Sequence, residues 1–181
     1  MRTGRLAPGL ALALSLAACG GNAREAVFLN FDPLTTPREL TRGWSSFERT
    51  GAGDTYVWAQ ARAATITLRA GRPDDRIVRF RAWPFRYDGA PQQRVTVVLN
   101  DVTLGTFPLP DGPTVVETPS PAAAWKAGEN VLTFDFAYAE APKERIAGAD
   151  DGRTLAAAFD WLEAVPVPAD GAPSRPSSQR P

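Results

Sequence analysis

The residues best equipped for chemistry in this sequence are aromatic and acidic, because the chain contains no histidine. That composition removes Ser-His-Asp and Cys-His catalysis, histidine acid–base work and imidazole-rich zinc or copper sites together. Gly51-Ala52-Gly53 lacks the lysine and the strand–helix setting of a phosphate loop. Carboxylates remain, and a glycosidase needs only two of them on opposite sides of the bond it cleaves. None of the acids stands in an apolar context that marks a raised pKa, so the chain reads as a non-enzyme. Asp150-Asp151 and Asp74-Asp75 offer oxygen ligands of the kind calcium takes, but without the repeated spacing of a binding loop. The expectation is no cofactor, with structural calcium as the alternative.

The aromatic residues are more informative. Trp83-Pro84-Phe85-Arg86-Tyr87-Asp88-Gly89 leaves an alternating run and enters a loop with three rings and an arginine. Flat rings stack on sugar faces, and arginine supplies directional hydrogen bonds. Trp83, Phe85, Arg86 and Tyr87 are therefore candidate ligand-binding residues, and Trp58, two residues after Tyr56, extends the set. The competing use of the same rings is to cap the open ends of a folded domain, each burying a large apolar area. Trp44, Trp125 and Trp161 read as core.

The elements that must hold these residues are strands. Ala64, Ile66 and Leu68 alternate with Thr65, Thr67 and Arg69; Val78, Phe80 and Ala82 alternate with Arg79, Arg81 and Trp83. Val95-Val97-Leu99 and Leu132-Phe134-Phe136-Tyr138 repeat the pattern, and β-branched and aromatic residues dominate throughout. Shorter candidates are Val27 to Phe31, Trp44 to Glu48, Tyr56 to Gln60 and Val102 to Phe107. Asn100-Asp101 alone separates two alternating runs, which predicts a tight hairpin. The segment from Thr154 to Glu163 is rich in alanine, a helix former, yet Leu155, Ala157, Phe159 and Trp161 alternate, which favours a closing strand. The fold class expected is all-β, an antiparallel β-sandwich.

The order Gly43-Trp44-Ser45, Tyr56-Val57-Trp58-Ala59, Gln93 to Asn100 with Leu104-Gly105, Gly128 to Phe134 and Asp151 to Ala156 resembles galactose-binding-like jelly rolls of exported bacterial proteins. Similar sandwiches occur as carbohydrate-binding modules and as non-catalytic domains joined to sulfatase-type enzymes. The resemblance implies a jelly-roll fold and a glycan ligand. The chain carries no Cys/Ser-x-Pro-x-Arg nucleophile motif of a sulfatase core.

The ends supply an address. Arg2 and Arg5 precede an apolar stretch from Leu6 to Ala17, the order of a secretory leader. At about a dozen residues the stretch is too short for a helix across a bilayer, which needs roughly 20. Leu16-Ala17-Ala18-Cys19 resembles the lipobox of bacterial lipoproteins, which implies acylation (palmitate among the chains) of Cys19, the one cysteine in the sequence. In such lipoproteins an aspartate after the cysteine marks inner-membrane retention; Gly20 favours the outer membrane, on its periplasmic or surface face. The expected organisation is a signal peptide over 1–18, a lipidated tether over 19–25, a β-sandwich over 26–164 and a disordered proline-rich tail over 165–181. Losing Arg2 and Arg5 takes 20 basic residues to 18 against 20 acidic ones, so no positive field invites nucleic acid. The partners expected are a membrane, through the anchor, and a glycan. The alternative is a structural role, docking to another envelope protein.

Overall fold

Alternation at period two becomes two stacked sheets in the computed structural model, which describes residues 25–34 and 38–168. One sheet runs in the order β3 (Glu48–Arg49), β4 (Thr55–Trp58), β11 (Ala157–Pro166), β6 (Arg76–Pro84), β9 (Thr114–Ser120). Its sixth strand, β1 (Val27–Asn30), pairs with β11 farther along the edge that β4 uses. The other sheet runs β2 (Leu40–Arg42), β5 (Ala63–Ala70), β10 (Gly128–Phe136), β7 (Gln93–Leu99), β8 (Val102–Leu109). Neighbouring strands are antiparallel throughout. A single turn of helix, α1 (Pro142–Arg145), and a 3-10 turn at Ala122–Ala124 complete the described elements. The chain is an antiparallel β-sandwich.

The alternation read from the sequence is the alternation that packs. Ala64, Ile66 and Leu68 of β5 and Val78, Phe80 and Ala82 of β6 are buried. So are Val95, Val97 and Leu99 of β7 and Leu132, Phe134 and Phe136 of β10. The centre is aromatic: Phe134 lies 4.9 Å from Phe159 and 5.1 Å from Phe80, centroid to centroid. Burying each such ring contributes about 1.5–3 kcal/mol. Asn100 takes a positive φ of 52° at the hairpin, and Leu99 pairs directly with Val102.

Three expectations need correcting. Trp44 to Glu48 is not a strand; Trp44 bridges to Ala59 and packs against the core, while Leu40–Arg42 and Glu48–Arg49 pair on either side of it. The strand Thr114–Ser120 was not anticipated, because its inward residues Val116, Thr118 and Ser120 are mostly small and polar. Trp161 is not core. Phe159 pairs with Ala82 and Trp161 with Arg81, leaving Asp160 as an extra residue in β11. This bulge turns Leu162, rather than Trp161, toward the face that Phe159 occupies. The closing segment is a strand, as expected, but it runs past the expected domain end at 164: Val165 and Pro166, assigned to the tail from the sequence, pair to Ile77 and Arg76. The leader, Cys19 and residues 169–181 lie outside the described residues.

Candidate functional site

In β4 the buried residue is Val57, so Tyr56 and Trp58 point away from the core. In β6 the same alternation turns Arg79, Arg81 and Trp83 outward. Register brings the two strands together across β11: Ala158 pairs with Trp58 on one side and with Trp83 on the other. A fully buried alanine thus lies between two half-buried indoles. Tyr56 closes the group, its ring 5.3 Å from Trp83 and 6.1 Å from Trp58.

Tyr56 is held from behind by charged residues. Its hydroxyl donates to Glu48 Oε2 at 3.0 Å. Glu48 Oε1 accepts from Arg153, which also grips Asp151 through Nη2 at 2.7 Å. Burial and then the Glu48 hydrogen bond push the Tyr56 phenol above its ordinary pKa. Asp151 and Glu48 hold the Arg153 guanidinium above its usual range. Both Asp151 oxygens are engaged by Arg153, and Asp75 Oδ1 accepts from the Ala122 amide. Among the described residues no group of three or more potential ligands converges on a metal site.

Beside the rings, the bulge presents Asp160. Arg81 Nη1 donates to its Oδ2 at 2.6 Å, while Oδ1 is buried without a hydrogen-bond partner. Burial raises the Asp160 pKa; the charge and hydrogen bond of Arg81, helped by backbone amides, only partly offset it. The expectation that no acid sits in an apolar context is therefore wrong. Phe159 and Trp161 flank Asp160 in the sequence, and that flanking was the available signal. Asp160, Arg81, Tyr56 and Trp83 line a cleft of about 260 Å³, together with Thr50, Asp54 and Pro113 from neighbouring loops. Arg81, Asp160, Thr50, Asp54 and Pro113 were not singled out from the sequence.

The other candidates occupy the end of the sandwich. Phe85 is only 7% exposed and packs between Trp58 and Tyr87. Its carbonyl accepts the Tyr138 hydroxyl at 2.6 Å. Arg86 clasps its own loop through the Ala90 and Pro91 carbonyls and pairs with Asp111 at 3.0 Å. Tyr87 is half-buried, with the Arg145 guanidinium 5.4 Å above its ring. Ring contacts connect Trp83, Tyr56, Trp58, Phe85 and Tyr87 in one row. Trp83 and Tyr56 stand at the cleft end of that row and Trp58 next to them, while Phe85 and Arg86 spend their polar and apolar surface on the protein itself.

No protein-family model matches the chain, and no curated protein is similar to it in sequence. Among solved structures, the chain is similar to the C-terminal CBM6 of LamC, a marine laminarinase from Zobellia galactanivorans. Identity there is 10%, over 78% of this chain and 99% of the other, with a TM-score of 0.49. Similarity to the Podospora anserina GH26-CBM35 β-(1,4)-mannanase reaches 16% identity and a TM-score of 0.48, over 83% of this chain but 29% of that one. A carbohydrate-binding module CBM36 in complex with calcium and xylotriose aligns at 14% identity and a TM-score of 0.42, over 76% of this chain and 98% of the other. Scores below 0.5 at such identities assign the chain to no family. The fold stands on its own sheet order and register.

Proposed function

We propose that the protein is a non-catalytic β-sandwich that binds a carbohydrate, or a glycan-bearing partner, on the outer face of its six-stranded sheet. The observation that carries this reading is the cluster of Tyr56, Trp58 and Trp83, three half-buried rings on a rigid sheet beside the Arg81 guanidinium. Rings fixed by a sheet offer stacking area with little ordering cost. The carbohydrate-binding modules among similar folds agree with the reading but add no weight to it. A catalytic alternative finds little support, because the one carboxyl among the described residues that burial raises has Oδ2 tied to Arg81 and Oδ1 sealed from solvent. A general acid must reach the group it protonates.

The proposal includes export and anchoring. The lipobox-like Leu16 to Cys19 supports acylation of Cys19 and attachment to the cell envelope, with the outer membrane favoured by Gly20. More than one acyl chain is required for stable anchoring.

Screening the purified protein against an array of plant, algal and bacterial glycans tests the reading, with Trp83→Ala alongside. Parent protein is expected to retain at least one glycan, and the variant to bind it about tenfold or more weakly with unchanged circular dichroism. A blank array, or a variant equal to the parent, overturns the proposal. Recovery of one stable envelope protein by cross-linking would transfer the function to docking.

A further inference from the structure

The cleft beside Trp83 carries more than rings. Arg81 is 39% exposed at its side chain and donates a single hydrogen bond, from Nη1, to Asp160. A guanidinium has five N–H donors in a planar fork, so most of Arg81's are left without a partner in the protein. Asp160 is 10% exposed at its side chain and fixed by the bulge, so the arginine is oriented from beneath. The two charges offset each other, and the remaining carboxyl group of the cleft, Asp54, is exposed. Glu48, behind Tyr56, is already balanced by Arg153.

A volume of about 260 Å³ falls below the roughly 300–1,000 Å³ typical of drug-sized ligands. A single sugar ring, smaller than such a ligand, fits within it. An acidic ring would meet Asp54 and gain little from an arginine whose charge Asp160 has already met. A neutral ring loses nothing to either, and its hydroxyls accept the free N–H groups.

Building on the glycan-binding reading, we infer that this cleft is a one-ring subsite selective for neutral sugars. In it Trp83 and Tyr56 supply the apolar wall, Arg81 donates to ring hydroxyls, and Asp160 is the positioning residue that orients Arg81 and cancels its charge. The assignment separates the two halves of the aromatic row: the sheet face reads the ring, and the Phe85–Tyr87 end supports the fold.

The test uses matched tetrasaccharides, with xylotetraose, cellotetraose and mannotetraose as neutral probes and tetragalacturonate and a sulfated galactan tetrasaccharide as acidic ones. Parent protein is expected to bind a neutral probe at least tenfold more tightly than either acidic probe. Arg81→Lys keeps the charge but loses the fork, and is expected to weaken the neutral probe about tenfold. Asp160→Asn keeps the shape but frees the arginine's charge. It is expected to narrow or invert the neutral-to-acidic ratio, a readout that a merely structural role leaves unmoved. Trp83→Ala reports whether binding uses this cleft at all. Preference for an acidic probe through Trp83, or an unchanged ratio in folded Asp160→Asn, overturns the inference and leaves glycan binding standing. Binding to no probe and to no arrayed glycan overturns both.

Discussion

A carboxylate beneath an arginine ordinarily gains acidity; Asp160 does the opposite because burial outweighs the partner. The sign of its pH effect follows. Between the usual carboxylate pKa near 4 and the higher native value, the folded protein binds more protons than the unfolded chain. Stability therefore falls as pH rises through that window. Asp151, held below the ordinary range by Arg153, acts in the other direction, its contribution disappearing as pH falls through its native pKa. Carbon-detected NMR of the side-chain carboxyls should show Asp160 titrating above the bulk of the acids. Asp160→Asn should remove the decline in stability across the window. An Asp160 signal titrating at or below the bulk carboxylates, with the slope unchanged in the variant, would show that Arg81 rather than burial prevails.

Among the elements, the short strands at the sheet margins depend on single backbone positions. Gly43 has φ +81°, and a Cβ there would lie 2.5 Å from the Ala63 carbonyl oxygen, a backbone atom that cannot swing aside. The close approach seats Trp44, whose indole N–H donates to the Thr65 carbonyl at 2.8 Å and whose ring meets Phe159 at 5.2 Å. Gly43→Ala is expected to cost more than the roughly 1–2 kcal/mol of left-handed backbone alone, measured as a shift in the denaturant midpoint. A loss under half a kilocalorie would mean that the strand margin yields freely. The long strands were legible because each shows its pattern locally, as Val78-Phe80-Ala82 does, and the Asn100 turn was legible from turn chemistry. The bulge was not. Phe159 and Trp161 alternate on paper, and only the register against Ala82 and Arg81 shows an extra residue between them. The cleft inherits that blindness, since Arg81 and Asp160 are 79 residues apart in sequence and meet through the bulge. Trp58 and Trp83 were legible as aromatics leaving strands, but their meeting across Ala158 is also a matter of register.

At the scale of the whole molecule, the two ends of β6 mark opposite poles. At its start, the Arg76 guanidinium donates to the Glu25 carbonyl at 2.8 Å and lies 4.9 Å from the Trp125 ring centroid, so the chain joins the domain here. The Val167 amide reaches the Asp75 carbonyl at 2.8 Å, which brings the far end of the described chain to the same pole. Trp83 is seven residues along the strand from Arg76, a separation of about 23 Å at the usual rise. Glu25 follows Cys19 by six positions, a span of at most about 22 Å. An acylated Cys19 would thus hold the Arg76 pole close to the lipid, with the cleft directed outward toward soluble or surface glycans. Acylation would also consume the only thiol in the chain, making an introduced cysteine a unique labelling point. Fluorophores at Pro73→Cys, beside the Arg76 pole, and at Asp88→Cys, in the loop beyond Trp83, can be compared in vesicles carrying headgroup nitroxides. The Pro73 label is expected to be quenched at least twice as strongly, and a Cys19→Ser background should lose quenching at both. Equal quenching in the acylated protein would mean that the sandwich lies flat on the bilayer, with its cleft opening sideways. Equal signals with and without Cys19 would remove the anchor itself.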